Sequence, residues 1–262
     1  MKRTVAPVPA YIEEAGGAAL FRRCFYLLMD GFTEESGARV VRLVERARAR
    51  RPADAAPVWV LANLAPGFID CYDPAYEQAM LALLKWWRDH PNDLNVASGL
   101  APMVERVAMV RHDGELRREA GRIYERLLAL EPYPEHAAGL VRSAADSDEQ
   151  GDAVRRVARC ARPLDTETRI ELMATAYAIA GMHRAAIKAV RRLCAMRPDD
   201  PTLVAYLAEQ LAAAGETTEA AADFEAAIEM ISSEDSVEAA ALAESWRRRL
   251  ESIRGGKGVA GP

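Results

Sequence analysis

Residues 168–200, TRIELMATAYAIAGMHRAAIKAVRRLCAMRPDD, and residues 201–235, PTLVAYLAEQLAAAGETTEAAADFEAAIEMISSED, are one pattern written twice at a spacing of 34. That spacing places Ala174 over Ala208, Gly181 over Gly215, Ala186 over Ala220, Val190 over Phe224 and Met196 over Met230. Each copy predicts two short amphipathic helices joined at its glycine, where a left-handed residue closes the first helix at little cost, while Pro198 stops the second. Ala174 and Ala208 fall where the paired helices come closest, since only a small side chain lets two backbones approach. A hairpin of this size cannot bury its apolar face alone and has to stack on neighbours.

Working outward, the same pattern continues less regularly. An extended lead-in is predicted over 1–15, where Pro7 and Pro9 break any period. Hairpins follow at about 17–52, 57–91, 92–132, 135–163, 166–198 and 200–231, then a capping helix at 236–253 and a disordered tail over 254–262. With the cap, that is about thirteen helices. Asp73 before Pro74 is a strong helix start, an N-cap followed by proline at the first helical position. VLANLAPG at 60–67 matches VASGLAPM at 96–103, which predicts two first helices broken or kinked at equivalent depth by Pro66 and Pro102. The hairpin at 135–163, polar around Ser143, Asp146, Ser147 and Asp148, is expected to be the least stable.

At 166–231, and again over 101–132, where REAGRIYERLLALEP at 118–132 fits best, the chain resembles the tetratricopeptide repeat family. The match is carried by the small first-helix residue (Ala174, Ala208), the turn glycine, the alanine opening the second helix (Ala186, Ala220), Phe224 four residues later, and Pro198. Ala120, Tyr124, Leu127, Leu128 and Pro132 carry it in the earlier half. The first-helix aromatic is met by Tyr177 but replaced by Leu211, and the usual tryptophan is replaced by Ile170 and Val204. The resemblance implies an all-α, right-handed α-solenoid whose first helices line a concave face that holds peptides or partner helices. It implies no reaction.

Composition agrees with helices. Half the residues are hydrophobic, aromatics are only 6%, and β-branched residues dominate no window of strand length. Positive charge is almost all arginine, the lysines being Lys2, Lys85, Lys188 and Lys257; the net charge of −5 leaves no basic footprint for nucleic acid. Arg39, Arg42, Arg46, Arg48, Arg50 and Arg51 crowd one helix, as a solvated face near a helix C-terminus or as a phosphate-binding strip. From Asp200 to Asp235 the balance reverses, with nine acidic residues and no Lys or Arg, an asymmetry able to steer a partner or orient self-association. Cys24, Cys71, Cys160 and Cys194 lie too far apart for a zinc site or a disulfide framework, which predicts reduced thiols and a cytoplasmic protein. No apolar run approaches the ~18 residues of a membrane-spanning helix, and TVAPVPAY is too short and proline-broken for a signal-peptide core.

Catalytic patterns are missing. His90, His112, His136 and His183 are scattered without the i, i+4 spacing of a helical metal pair, and there is no G-x-S-x-G, P-loop or G-x-G-x-x-G. The sequence thus predicts no metal, no cofactor and no enzyme, but a non-catalytic adaptor that binds a peptide or helix of another protein. An accessory subunit that holds a substrate peptide or small ligand for an enzyme complex is the alternative. The concave positions of the regular half, Thr168, Glu171, Thr175, Thr202, Ala205 and Glu209, carry no aromatic anchor. Trp59, Phe68, Tyr72, Tyr76, Trp86 and Trp87 crowd the second hairpin, either as packing or as a ligand platform. The partner site is therefore expected between 57 and 112, at Asn63, Tyr72, Asn95, Glu105, Arg106 and Met109.

Overall fold

The computed structural model describes residues 8–29, 34–232 and 236–255. The described residues form fourteen helices and no strand: α1 (Ala10–Glu14), α2 (Ala18–Met29), α3 (Glu34–Arg50), α4 (Ala56–Phe68), α5 (Pro74–Asp89), α6 (Leu94–Arg111), α7 (Gly114–Leu130), α8 (Pro134–Arg142), α9 (Ser147–Ala161), α10 (Thr166–Ile179), α11 (His183–Met196), α12 (Pro201–Ala213), α13 (Thr217–Ile231) and α14 (Val237–Arg254). The helix beyond the predicted thirteen is α1. The sequence predicts an extended lead-in there, but after Pro9 the chain turns once and sinks Ile12 completely into the core. The tail after Gly255 and the lead-in before Val8 lie outside the described residues.

Two compact units result. The first holds α1 to α7, with hairpins α2–α3, α4–α5 and α6–α7. The second holds α8 to α14, with hairpins α8–α9, α10–α11 and α12–α13 closed by α14. The described residues are thus all-α, built from successive helical hairpins. Local chemistry explains where helices begin: Asp73, Asp93, Asp146, Asp165, Asp200 and Ser236 each accept a hydrogen bond from a backbone N–H of the first turn they cap. It also explains the turns of the repeated pair, where Gly181 and Gly215 adopt φ +68° and +85°, a conformation that disfavours a side chain.

Equivalent positions of the two repeats do equivalent work. Ala174 and Ala208 are fully buried, as are Ala186 and Ala220, and Val190 and Phe224. Ile187, Leu193, Leu203 and Leu211 complete one buried cluster, and Phe224, Ile231, Trp246 and Leu250 form the next, sealed by α14.

The two prolines do not break their helices. Pro66 lies within the last turn of α4, and α6 runs unbroken through Pro102. Proline cannot donate to the carbonyl four residues back, so Pro66 releases the oxygen of Ala62. α6 packs tightly against that oxygen: a Cβ on Gly99 would lie 2.1 Å from it. A bare glycine can point a Cα hydrogen at the carbonyl instead, a weak contact that recurs where helices touch. The Leu-Ala-Pro segment at Pro66 is therefore a packing device, and α4 passes through it because tertiary contact holds what propensity would break.

Gly99→Ala is expected to destabilise the fold by about 1–3 kcal/mol or more, because backbone, not a movable side-chain end, blocks the new methyl group. Gly67→Ala, in the same region but with open space around it, should be neutral or stabilise by up to about 1 kcal/mol through the unfolded chain. Thermal melts of both variants measure the contrast.

A pH dependence follows from the α12 cap. Burial works against the Asp200 charge, yet hydrogen bonds from Thr202 and Leu203 outweigh it and hold the carboxyl below its ordinary value of 3.8. A depressed folded-state pKa means stability that is present above the unfolded value and lost as pH falls through the folded one. Asp200→Ala should thus melt below the parent at pH 6, with about 1 kcal/mol lost, and the gap should close as the pH drops below about 3.9.

Candidate functional site

The best-connected polar group of the first unit is Asp93. As N-cap of α6 it accepts from the backbone N–H of Val96 at 3.3 Å, while its carboxylate also accepts from Trp59 Nε1 of α4, at 2.9 Å to Oδ2, and Trp86 Nε1 of α5, at 2.9 Å. One side chain thereby joins three helices. His90 stacks on Trp86 with centroids 4.0 Å apart, and the Arg48 guanidinium lies 5.6 Å from the Trp86 ring centre. On the other indole, Tyr11 of α1 packs edge-on against Trp59 at 5.7 Å and donates its hydroxyl to Asn63 Oδ1 at 2.7 Å. Burial raises the Tyr11 pKa; the Asn63 bond opposes this and the Asp93 charge adds to it.

The six expected partner-binding residues fall into four groups. Asn95, Arg106 and Met109 lie along α6 together with Ser98 and Pro102, a stripe that is exposed apart from half-buried Asn95. Arg106 also reaches back to the hydroxyl of buried Tyr76, whose pKa burial raises and Arg106 lowers. Tyr72, 77% exposed, stands in the loop before α5 and caps nothing. Asn63 is half-buried, with its oxygen taken by Tyr11 and its amide donating to the Trp59 carbonyl at 2.8 Å. Glu105 departs from expectation: only 7% of it is exposed, and it accepts from the Tyr124 hydroxyl of α7 at 2.7 Å. It holds α6 to α7 from beneath the stripe.

Most of the aromatic cluster is packing. Tyr76, Trp86 and Trp87 are buried, and Phe68 meets Phe25 edge-on at 5.4 Å. Tyr11 and Asp93 were not foreseen as members of the region. A signal for Asp93 exists in the sequence, since it follows Trp59 by 34 residues, the repeat spacing itself. The second unit also differs from expectation at one place: Ala205 is core, 3% exposed, and its neighbour Tyr206 takes the half-buried position, donating to the Ala174 carbonyl at 3.4 Å. Burial pushes the Tyr206 hydroxyl up to about 12 and raises Glu209, with Arg249 opposing the latter.

The remaining reactive types are structurally employed. Cys24 is fully buried, which pushes its thiol up to about 12, far from a nucleophilic thiolate. Beyond His90 on Trp86, His112 ends α6 in the left-handed region at φ 53°, His136 Nδ1 meets the Glu131 carbonyl at 2.7 Å, and His183 Nδ1 meets Gln210 Oε1 at 3.2 Å. Among the described residues no group of His, Cys, Asp and Glu is arranged to hold a metal ion. No described helix is long and apolar enough to cross a membrane.

Comparison with known proteins yields no matching family model and no matching curated protein. Among solved structures the chain is similar to a tetratricopeptide repeat protein from Parabacteroides merdae, at 15% identity and a TM-score of 0.49, over 90% of this chain and 97% of that one.

Asp93→Ala removes a cap and leaves two indole N–H groups of the interior without their acceptor. Denaturant unfolding followed by tryptophan fluorescence should show a loss of at least about 2 kcal/mol. Asp93→Asn, which keeps one oxygen as acceptor, should fall between that variant and the parent.

Proposed function

We propose that this chain is a non-catalytic interaction module whose first-unit surface, formed by α6 and the adjoining part of α4, holds a peptide or helix of another protein. The observation that carries this reading is the α6 stripe, in which Asn95, Pro102, Arg106 and Met109 recur at helical spacing on one solvent-facing side. Arginine and large apolar side chains dominate interface energy, and amides such as Asn95 fix the register of a bound backbone. Pro102 leaves the Ser98 carbonyl without its helical donor, so the stripe offers a backbone acceptor too. Glu105, buried beneath, keeps α6 in place and is not a contact. Tyr72 stands on the loop between α4 and α5 as a further anchor.

Affinity capture from native extract supplies the partner, whose binding to variants then tests the site. Arg106→Ala is expected to weaken binding by about 30-fold, the scale of a hot-spot side chain, and Tyr72→Ala by less. Glu171→Ala and Glu209→Ala, in the second unit, should leave it unchanged. Weakening by those two alone would move the site to the regular repeats and overturn the assignment.

A further inference from the structure

We infer that the first unit carries a second docking surface, on the side away from the α6 stripe, which takes an acidic segment of a partner protein anchored by one large apolar side chain. It stands independently of the interaction proposed for α6. The surface is a groove of about 380 Å³ between α3 and α5, floored by α4. Val44 of α3 and Val58 and Leu61 of α4 form its buried floor, and Leu81 of α5, 51% exposed, forms part of its rim. At about 100° per residue, Val58 and Leu61 lie roughly half a turn around α4 from Trp59 and Asn63, so the groove opens on the side of α4 opposite the part proposed to adjoin the α6 stripe. An apolar floor of this size suits a single Leu, Phe or Trp side chain and leaves Leu81 to cover it.

Charge identifies the rest of the occupant. In successive hairpins α3 and α5 run the same way, so Arg48 and Lys85, each nearer the C-terminus of its helix, stand together at one end of the groove. Neither has a carboxylate partner among the described residues, although Arg48 rests against Trp86. Glu45, with Gln78, marks the other end, which orients a bound segment with its acid toward the cations. Arg48 and Lys85 beside an apolar floor repel basic and favour acidic partners, a selectivity set by electrostatic complementarity.

The test uses immobilised peptides of about 15 residues, the length at which a helix begins to hold alone. Each has one central Leu, Phe or Trp in an Ala/Gln frame and either Glu or Lys at the flanking positions. The full chain is expected to be retained by Glu-flanked peptides at least about tenfold better than by Lys-flanked ones. Lys85→Glu, at an exposed residue with no partner to lose, should abolish that preference, and Leu81→Asp should abolish retention. Arg106→Ala and Tyr72→Ala should change neither, which separates this surface from the one on α6. Equal retention of both peptide sets, retention of neither, or loss in Arg106→Ala with Lys85→Glu unaffected would each overturn the proposal. So would binding of decanoate at the groove without binding of any peptide, since it would make the occupant a small ligand.

Discussion

The first unit depends on how closely α6 can approach α4. The approach is set at one point, where the Ala62 carbonyl released by Pro66 meets the Cα of Gly99 with no room for a side chain. Everything on the solvent side follows from it. Because the backbones nearly touch there, Trp59 can reach across from α4 to the Asp93 carboxylate at the start of α6. The exposed side of α6 then adjoins that of α4 as one surface. The same contact gives proline a role opposite to its usual one: by withholding a donor it frees an acceptor that the neighbouring helix packs against.

Much of the architecture was legible in the residues. The glycines at the repeat spacing adopt the left-handed turn, the paired alanines are buried, and acidic caps open the helices. These features are local: each depends on the conformational preference of one residue or on one period, and no distant segment alters them. What escaped were the places where a tertiary contact overrides a local preference. Pro66 and Pro102 look like breaks because propensity is read along one helix, whereas the compensation for Pro66 comes from Gly99 on another. Pro7 and Pro9 suggest an extended start, yet Ile12 gains enough by burial to fold a single turn behind them.

The candidate site was less legible for the same reason. Glu105 has the chemistry of a surface residue, but Ala101 and Ala108 flank it on the buried side of α6 and Tyr124 supplies a donor from α7. Its position at i+4 from one buried alanine and i−3 from another was the available signal. Asn63 is half committed to Tyr11, a contact made by a helix the sequence did not predict. By contrast, Asn95, Arg106 and Met109 needed only the helical period to be placed on one exposed side, and they lie there.

Three polar links in the first unit join residues separated by 34: Trp59 to Asp93, Arg111 to Glu77, and Arg126 to Asn92. The first two join one hairpin to the next and the third ties the start of a hairpin to its second helix; the separation equals the spacing of the pattern repeated at 168–235. Such a link has a property that a contact at any other separation lacks. When a segment of that length is duplicated in tandem, the two positions of the link begin as the same residue, so the duplication by itself supplies two donors or two acceptors. An array that grows in this way gains its packed helices at once, whereas each polar link across a new boundary waits for a substitution in one of the copies.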